Sequence, residues 1–152
     1  MRRPAAVLIL ITSILLLLLA VYGCTQTPDD PYKALKRKDY RTVHRLFLPL
    51  AEQGHVMPQC ILAGLYYEGE GVPQDYAEAA KWYRKAAEQG HDEAQYKLGS
   101  MYDRGEGVTQ DFAEAIKWYR RSAEQGNSNS QFHLGLEYYL GTKIPTNYFV
   151  NT

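Results

Sequence analysis

Hydrophobic and polar residues along most of the chain follow the period of an α-helix. One apolar stripe consists of Ala94, Leu98, Met101 and Tyr102, and a second consists of Phe112, Ala115, Tyr119 and Ala123. Spacings of three and four residues place the members of each stripe on one side of a helix. The pattern therefore predicts short amphipathic helices arranged in pairs.

The helix pairs belong to an internal repeat. Residues 55–90 and 91–126 align without a gap and are identical at 21 of 36 positions. The same frame extends to a half repeat at 39–54 and a partial repeat at 127–152. Near-duplicate units of this length pack on one another and bury a continuous core between them. The sequence thus predicts two complete helix pairs flanked by incomplete ones.

Charged residues and glycines mark the ends of these helices. The second helix of a unit opens with Asp111 followed three residues later by Glu114, and Asp75 with Glu78 repeats this device. An acidic cap followed by glutamate at this distance predicts a capping box, in which each side chain accepts from the other's amide group. The glycines predicted to end helices in the left-handed conformation are Gly90 and Gly126.

A helix-turn-helix unit with this amino-acid pattern resembles the Sel1-like repeat, a subclass of the tetratricopeptide superfamily. The matching positions of the second unit are Leu98, Gly99, Tyr102, Gly105, Gly107, Val108, Asp111, Ala115, Trp118, Ala123 and Gly126. The resemblance implies an all-α, right-handed α-solenoid of antiparallel helix pairs that binds a protein or peptide on its concave face. The first unit departs from the family at Ala63 and Pro58, and we expect Pro58 to shift the start of its helix.

The two ends of the repeat region differ from its middle. Pro49 lies within the predicted helix of the first half unit, where we expect it to kink the chain. In the last unit Lys143 replaces the second glycine of the turn. Solenoid ends normally need a polar cap. We therefore expect the helix that begins near Asn127 to leave apolar surface open to a partner, to self-association or to fraying.

The N-terminal stretch has the character of a membrane segment. Residues 5–23 contain no charge and follow Arg2 and Arg3. As a helix they would measure about 28 Å, close to the thickness of a bilayer's hydrocarbon region. The arginines predict that the chain behind the segment is exported. Cleavage, retention as a signal anchor and lipidation all fit such a segment.

Cys24 favours lipidation among these outcomes, because residues 21–24 resemble a bacterial lipobox. The resemblance implies that Cys24 is acylated and that the mature protein is a membrane-anchored lipoprotein of the bacterial envelope, facing the periplasm or the exterior. The predicted organisation is a signal peptide or anchor at 1–23, a linker at 24–31 and the solenoid at 32–152.

Charge and composition give no sign of nucleic-acid binding or of catalysis. The chain has 17 basic and 17 acidic residues, and removal of residues 1–23 leaves 15 against 17. Its one basic cluster is the short run 36–38, so no nucleic-acid footprint is expected. His55 and His91 are equivalent positions one repeat apart, which argues against a shared metal. We predict no metal, no cofactor and no catalytic residue.

Two other interpretations remain open at this stage. One is an envelope hydrolase acting on β-lactam or peptidoglycan substrates, because a cysteine-rich branch of the resembled family has been linked to such activity. The regular cysteine pair of that branch is missing here. The other is a truncated remnant of a longer repeat array.

The positions at which the repeats disagree suggest where a partner binds. Three columns on the first helix of each unit vary while the leucine and tyrosine opposite them recur. The resulting candidates are Tyr67, Tyr96, Ser100, Asp103, Phe132, Leu136 and Tyr139, which we call the first-helix strip. Aromatic residues are favoured at interfaces. The alternative is ordinary surface variation, with Tyr96 and Phe132 partly buried under neighbouring side chains.

Overall fold

A computed structural model of the protein describes residues 30–140, which form seven helices. They are α1 (Pro31–Lys36), α2 (Tyr40–Glu52), α3 (Val56–Glu68), α4 (Tyr76–Glu88), α5 (Asp92–Arg104), α6 (Phe112–Glu124) and α7 (Ser128–Leu140). No strand occurs in this range, and the predicted all-α fold is confirmed. The predicted membrane segment, Cys24 and Lys143 lie outside the described residues.

The helices stack in chain order. Each helix packs on the one before it and the one after it, and the closest pairs are α3 with α4 and α5 with α6. We call α3, α5 and α7 first helices and α2, α4 and α6 second helices. All six have 13 residues. Helices of equal length, each about 20 Å long, stack in register and give a helical repeat solenoid.

The core runs between the helices and consists of small and aromatic residues. Leu62 and Leu98, the recurring leucines of the first helices, are fully buried. Trp82 and Trp118, which occupy the same position in successive units, are also buried. Between these large side chains, alanines such as Ala79 have no exposed surface and let the helix backbones approach one another.

The predicted aspartate caps are present on the second helices. A carboxylate oxygen of Asp75 accepts hydrogen bonds from the amides of Ala77 and Glu78 at 2.9 and 3.0 Å. Asp111 accepts the equivalent two bonds at the same distances. These bonds satisfy donors that a helix start leaves without intrahelical partners. The predicted left-handed glycines are also confirmed, because φ is +93° at Gly90 and +94° at Gly126.

The capping box predicted from the same residues is wrong in its second half. The amide of Asp111 donates to the carbonyl of Tyr102 at 3.0 Å instead of to the side chain of Glu114. Glu114 forms an ion pair with Lys117 on the outer surface of α6. Because the turn folds back on α5, the amide of Asp111 already has an acceptor. The side chain of Glu114 therefore pairs with Lys117, three residues later on the same helix.

Pro58 does not shift the start of its helix, which corrects another expectation. Helix α3 begins at Val56 and α5 begins at Asp92, which is the equivalent position of the repeat. The difference lies in the cap. The side chain of His91 accepts a hydrogen bond from the amide of Ala94 at 3.2 Å. His55 occupies the same cap position in α3, but its side chain makes no hydrogen bond to the helix start. Pro58, the counterpart of Ala94, has no N–H to donate.

Helix α1 covers the start of the solenoid and was not predicted as a separate element. Asp30 caps it by accepting from the amide of Tyr32 at 2.9 Å. The ring of Tyr32 meets that of Phe47 edge to face, with centroids 5.4 Å apart. Phe47 is fully buried. Helix α2 continues through Pro49, which is exposed.

The turn inside each helix pair contacts the preceding second helix very closely. At Gly107, where φ is +66°, an added Cβ would lie 2.1 Å from the carbonyl oxygen of Tyr76. Gly71 approaches the backbone of Tyr40 in the same way. These contacts fix one unit against the next, and side chains larger than hydrogen do not fit there. Within residues 30–140, no helix has the length and apolar character needed to cross a bilayer.

Candidate interaction surface

The residues of the first-helix strip differ widely in exposure. Tyr139 is 85% exposed, Phe132 67% and Leu136 40%. By contrast Ser100 is only 9% exposed and lies inside the packed region. The remaining members, Tyr67, Tyr96 and Asp103, are half-buried. The first-helix strip is therefore exposed on α7, whereas neighbouring helices largely cover its residues on α3 and α5.

Tyr67 connects the two complete helix pairs. Its ring packs edge to face on that of Tyr76, with centroids 5.1 Å apart. Its hydroxyl donates to a carboxylate oxygen of Glu106, in the next unit, at 2.8 Å. Burial and this hydrogen bond raise the pKa of the Tyr67 hydroxyl. Because the hydroxyl already has a hydrogen-bond partner within the chain, the main role of Tyr67 is to hold one repeat unit against the next.

Tyr96 belongs to a group of rings that joins α5, α6 and α7. Its ring centroid lies 5.9 Å from that of Tyr119 and 5.8 Å from that of His133. Tyr119 and His133 stack with their planes 9° apart and their centroids separated by 5.2 Å. Burial raises the pKa of the Tyr119 hydroxyl, and the nearby charge of Asp103 adds to this shift. Tyr96 thus forms the inner edge of the open surface on α7.

The placement of the strip on an unpacked helix face is wrong for Ser100. Ser100 is buried between α5 and α6, so it has no surface with which to contact a partner. The repeat pattern identifies residues that share a helix face, but a first helix in this fold packs on second helices before and after it. Packing on both sides covers more of the helix surface than the stripe of recurring leucine and tyrosine predicts.

Phe132, Leu136 and Tyr139 form an exposed apolar surface that we call the α7 apolar face. Their counterparts one unit earlier lie on α5 against α6, chiefly through Tyr119. Among residues 30–140, no helix follows α7 to provide the same cover. An exposed set of large apolar residues on one face of a helix is characteristic of an interaction surface. Tyr96 and His133 extend it towards α5.

Three of the four histidines make contacts within the fold. His44 and the hydroxyl of Tyr66 are hydrogen-bonded at 2.9 Å, His91 caps α5, and His133 stacks on Tyr119. Within the described part of the chain, no group of three histidine, cysteine or acidic side chains could hold a metal ion. The role of His133 at the edge of the α7 apolar face was missed from the sequence, although His133 stands three residues before Leu136, a spacing that makes the two neighbours on the helix surface.

Comparison with known families identifies the repeats. The family model described as Sel1 repeat matches residues 59–91, 92–127 and 128–149. The chain belongs to the Sel1 repeat family. Repeats of this family typically serve as protein-interaction modules. The third matched Sel1 repeat, residues 128–149, contains the whole of α7, so the α7 apolar face is part of a recognised repeat.

Two crystal structures are similar to this Sel1 repeat chain. One is a protective antigen present in uropathogenic Escherichia coli strains that displays an SLR fold; it is 42% identical, with a TM-score of 0.66 over 67% of this chain and 22% of that chain. The other is a Sel1 repeat protein from Oxalobacter formigenes, 32% identical, with a TM-score of 0.72 over 78% of this chain and 48% of that chain. The chain thus spans less than half the length of either structure. No protein of curated function matches it.

Proposed function

We propose that the protein is a non-enzymatic scaffold that binds a protein or peptide through the α7 apolar face and is anchored at the bacterial cell envelope. The observation that carries the binding part is the exposure of Phe132, Leu136 and Tyr139 together on one face of a Sel1 repeat helix. Large apolar and aromatic side chains supply most of the binding energy at protein interfaces. The proposed site is on the concave side, because helical repeat proteins bind on such extended surfaces.

A photo-crosslinking amino acid placed at Leu136 tests this site in cells. The matched control places the same amino acid at Ala113, which is exposed on α6. We expect a discrete adduct from position 136 and none from 113. The double substitution of Phe132→Ala and Tyr139→Ala should abolish the adduct while helix content stays unchanged. Equal adducts at both positions, or an adduct that survives the double substitution, would contradict the proposed site.

The same experiment distinguishes self-association from binding of another protein. An adduct of twice the chain's mass identifies a second copy as the occupant, which is the self-association expected for an uncovered last helix. An adduct of another mass identifies a different protein. Purified chain is expected not to hydrolyse nitrocefin or muropeptides, and turnover of either would contradict the non-enzymatic part of the proposal.

The membrane tether is supported by the sequence. Residues 5–23 are free of charge and long enough to cross a bilayer, and Cys24 follows at the position of a lipobox cysteine. Several acyl chains would hold a protein durably on a membrane, since each buried methylene contributes about 0.8 kcal/mol. Metabolic labelling with an alkyne fatty acid should mark the wild-type chain and not Cys24→Ser. An unlabelled chain that stays in the membrane fraction would indicate an uncleaved anchor instead.

A further inference from the structure

Charge is divided unevenly along the stack of helices. Residues 30–45, which contain α1, the turn after it and the first half turn to turn and a half of α2, have six basic and two acidic residues. Residues 46–140 have eight basic and fourteen acidic residues. The start of the solenoid is therefore positive and the remainder is negative. We call the six basic residues the basic end, and they are Lys33, Lys36, Arg37, Lys38, Arg41 and Arg45.

All six side chains of the basic end are exposed. Lys33 and Lys36 are three residues apart on α1, a spacing that makes them neighbours on the helix surface. Within the described range 30–140, these two side chains, together with those of Lys38 and Arg41, form no ion pair. Their charges are thus available to a surface of opposite sign.

The acidic residues near the basic end do not cancel its charge. Asp30 and Asp39 cap the starts of α1 and α2. Partial burial and the charge of Glu70 raise the pKa of the Tyr40 hydroxyl, which places Glu70 beside the start of α2. Even when Glu70 and Asp29 are included, the basic residues outnumber the acidic ones by six to four.

The basic end is also the part of the described fold that follows the apolar N-terminal stretch most closely in the chain. Residues 5–23 carry no charge and are long enough to cross a bilayer. Even when fully extended, the chain from Gly23 to Asp30 spans at most about 25 Å. A tether this short keeps the basic end at a high local concentration beside the lipid headgroups. Anionic headgroups attract lysine and arginine side chains that come close to them.

Apolar side chains at the same end of the stack offer a second kind of contact. Tyr32 on α1 is 55% exposed, and Met57 at the start of α3 is 51% exposed. Together with Leu50 they line an open recess of about 380 Å³. Tyrosine is enriched where a membrane meets water, and binding to such an interface combines apolar contact with attraction to anionic lipids.

We propose that the basic end lies on anionic lipid headgroups of the bilayer that holds residues 5–23, with Tyr32 at the level of the headgroups. The negative remainder of the solenoid is repelled by the same surface. Because the helices pack in chain order, α7 is then at the end of the stack that points away from the membrane. This inference rests on the proposed membrane tether and adds an electrostatic contact that orients the α7 apolar face.

The full-length chain in nanodiscs tests this contact, with the photo-crosslinking amino acid benzoylphenylalanine at Tyr32. One set of nanodiscs contains phosphatidylglycerol mixed with phosphatidylcholine, and the other contains phosphatidylcholine alone. At low salt, mass spectrometry should find several-fold more lipid adduct at position 32 in the discs with phosphatidylglycerol. Added salt should reduce this difference, because exposed charges are screened. The same amino acid at Tyr139, on α7, should give little lipid adduct in either set.

Two matched sets of three lysines assign the lipid preference to the basic end. Lys33→Gln, Lys36→Gln and Lys38→Gln together should remove most of the difference between the two lipid compositions. The control makes the same change at three exposed lysines of α4 and α6, which are Lys81, Lys85 and Lys117. The control changes the net charge by the same amount and should keep the difference.

Four results would overturn the inference. They are equal adduct at position 32 in both lipid compositions, a preference for phosphatidylglycerol that survives the three substitutions in the basic end, a preference that the control set also removes, and an equal rise of lipid adduct at position 139. Failure of the tether has a different signature, because the chain would then elute apart from the phosphatidylcholine nanodiscs. If such a chain still bound discs with phosphatidylglycerol through Lys33, Lys36 and Lys38, the basic end would be supported without the tether.

Discussion

The side-chain amide of Gln89 donates a hydrogen bond to the side-chain carbonyl of Gln59 at 2.7 Å. Gln59 is 3% exposed, and its own amide donates to the backbone carbonyl of Ala51 at 3.0 Å. The two bonds connect α2, α3 and α4 in sequence. Gln95 and Gln125 repeat the arrangement in the next unit. The glutamines therefore form a polar link between units, in addition to the bond between Tyr67 and Glu106.

Replacement of Gln95 by leucine should destabilise the solenoid although it adds apolar surface. The change removes the bond to the carbonyl of Ala87, at 3.1 Å, and the acceptor used by Gln125, at 2.8 Å. An unsatisfied buried polar group costs about 1–3 kcal/mol. Urea unfolding followed by circular dichroism measures the loss. Gln53→Leu is the matched control, because Gln53 is exposed at the helix end equivalent to Gln89 and should cost less than about 0.5 kcal/mol.

Gly107→Ala should be among the most damaging single changes in the turns. Its left-handed φ disfavours any side chain by about 1–2 kcal/mol. The added methyl would also collide with the backbone of Tyr76 at 2.1 Å, and a backbone atom cannot rotate away as a side chain can. We expect a loss of at least about 3 kcal/mol in the free energy of unfolding, measured by urea titration.

Gly126→Ala separates the two causes. Gly126 also has a positive φ, of +94°, but no atom lies within 4 Å of an added Cβ. It should lose only the conformational part, about 1–2 kcal/mol. If both substitutions cost the same, the close approach between the turn and α4 does not contribute to stacking.

His91→Ala should destabilise the chain while His55→Ala should not, although the two histidines are equivalent positions of the repeat. His91 accepts the amide hydrogen of Ala94, and loss of a capping bond costs about 0.5–2 kcal/mol. His55 makes no side-chain cap bond because Pro58 offers no N–H. Thermal unfolding of the two variants measures the difference. Equal losses would show that the histidines stabilise the helix starts by another contact.

The sequence predicted the elements of the repeat because each depends on local chemistry. The apolar period marked the helices, Asp75 and Asp111 marked their starts, and Gly90 and Gly126 their ends. Helix α1 has the same kind of local signal, since Asp30 and Pro31 are a favoured cap and first residue. That signal was missed because six residues are too few to show a helical period.

Exposure on the first-helix strip could not be predicted in the same way. Periodicity tells which residues share a face, but it does not tell how many neighbouring helices cover that face. Ser100 and Leu136 occupy equivalent positions, yet one is buried by α6 and the other is 40% exposed on α7.

Alkaline pH should weaken the fold through the thiol of Cys60. Burial, with the nearby charge of Glu93, raises the pKa of this thiol from its ordinary 9.0 to about 11. The unfolded chain therefore releases the thiol proton at a lower pH than the native chain does. The resulting contribution to stability is complete below pH 9 and is lost as the pH rises towards 11. Burial also raises the pKa of Tyr83, so a second loss of stability should follow at higher pH.

Urea titrations at pH 8 and pH 10.5 test this contribution in chains that carry Cys24→Ser. Between the two pH values, the free energy of unfolding should fall more with Cys60 present than with Cys60→Ala. The same fall in both chains would assign the alkaline sensitivity to the tyrosines alone.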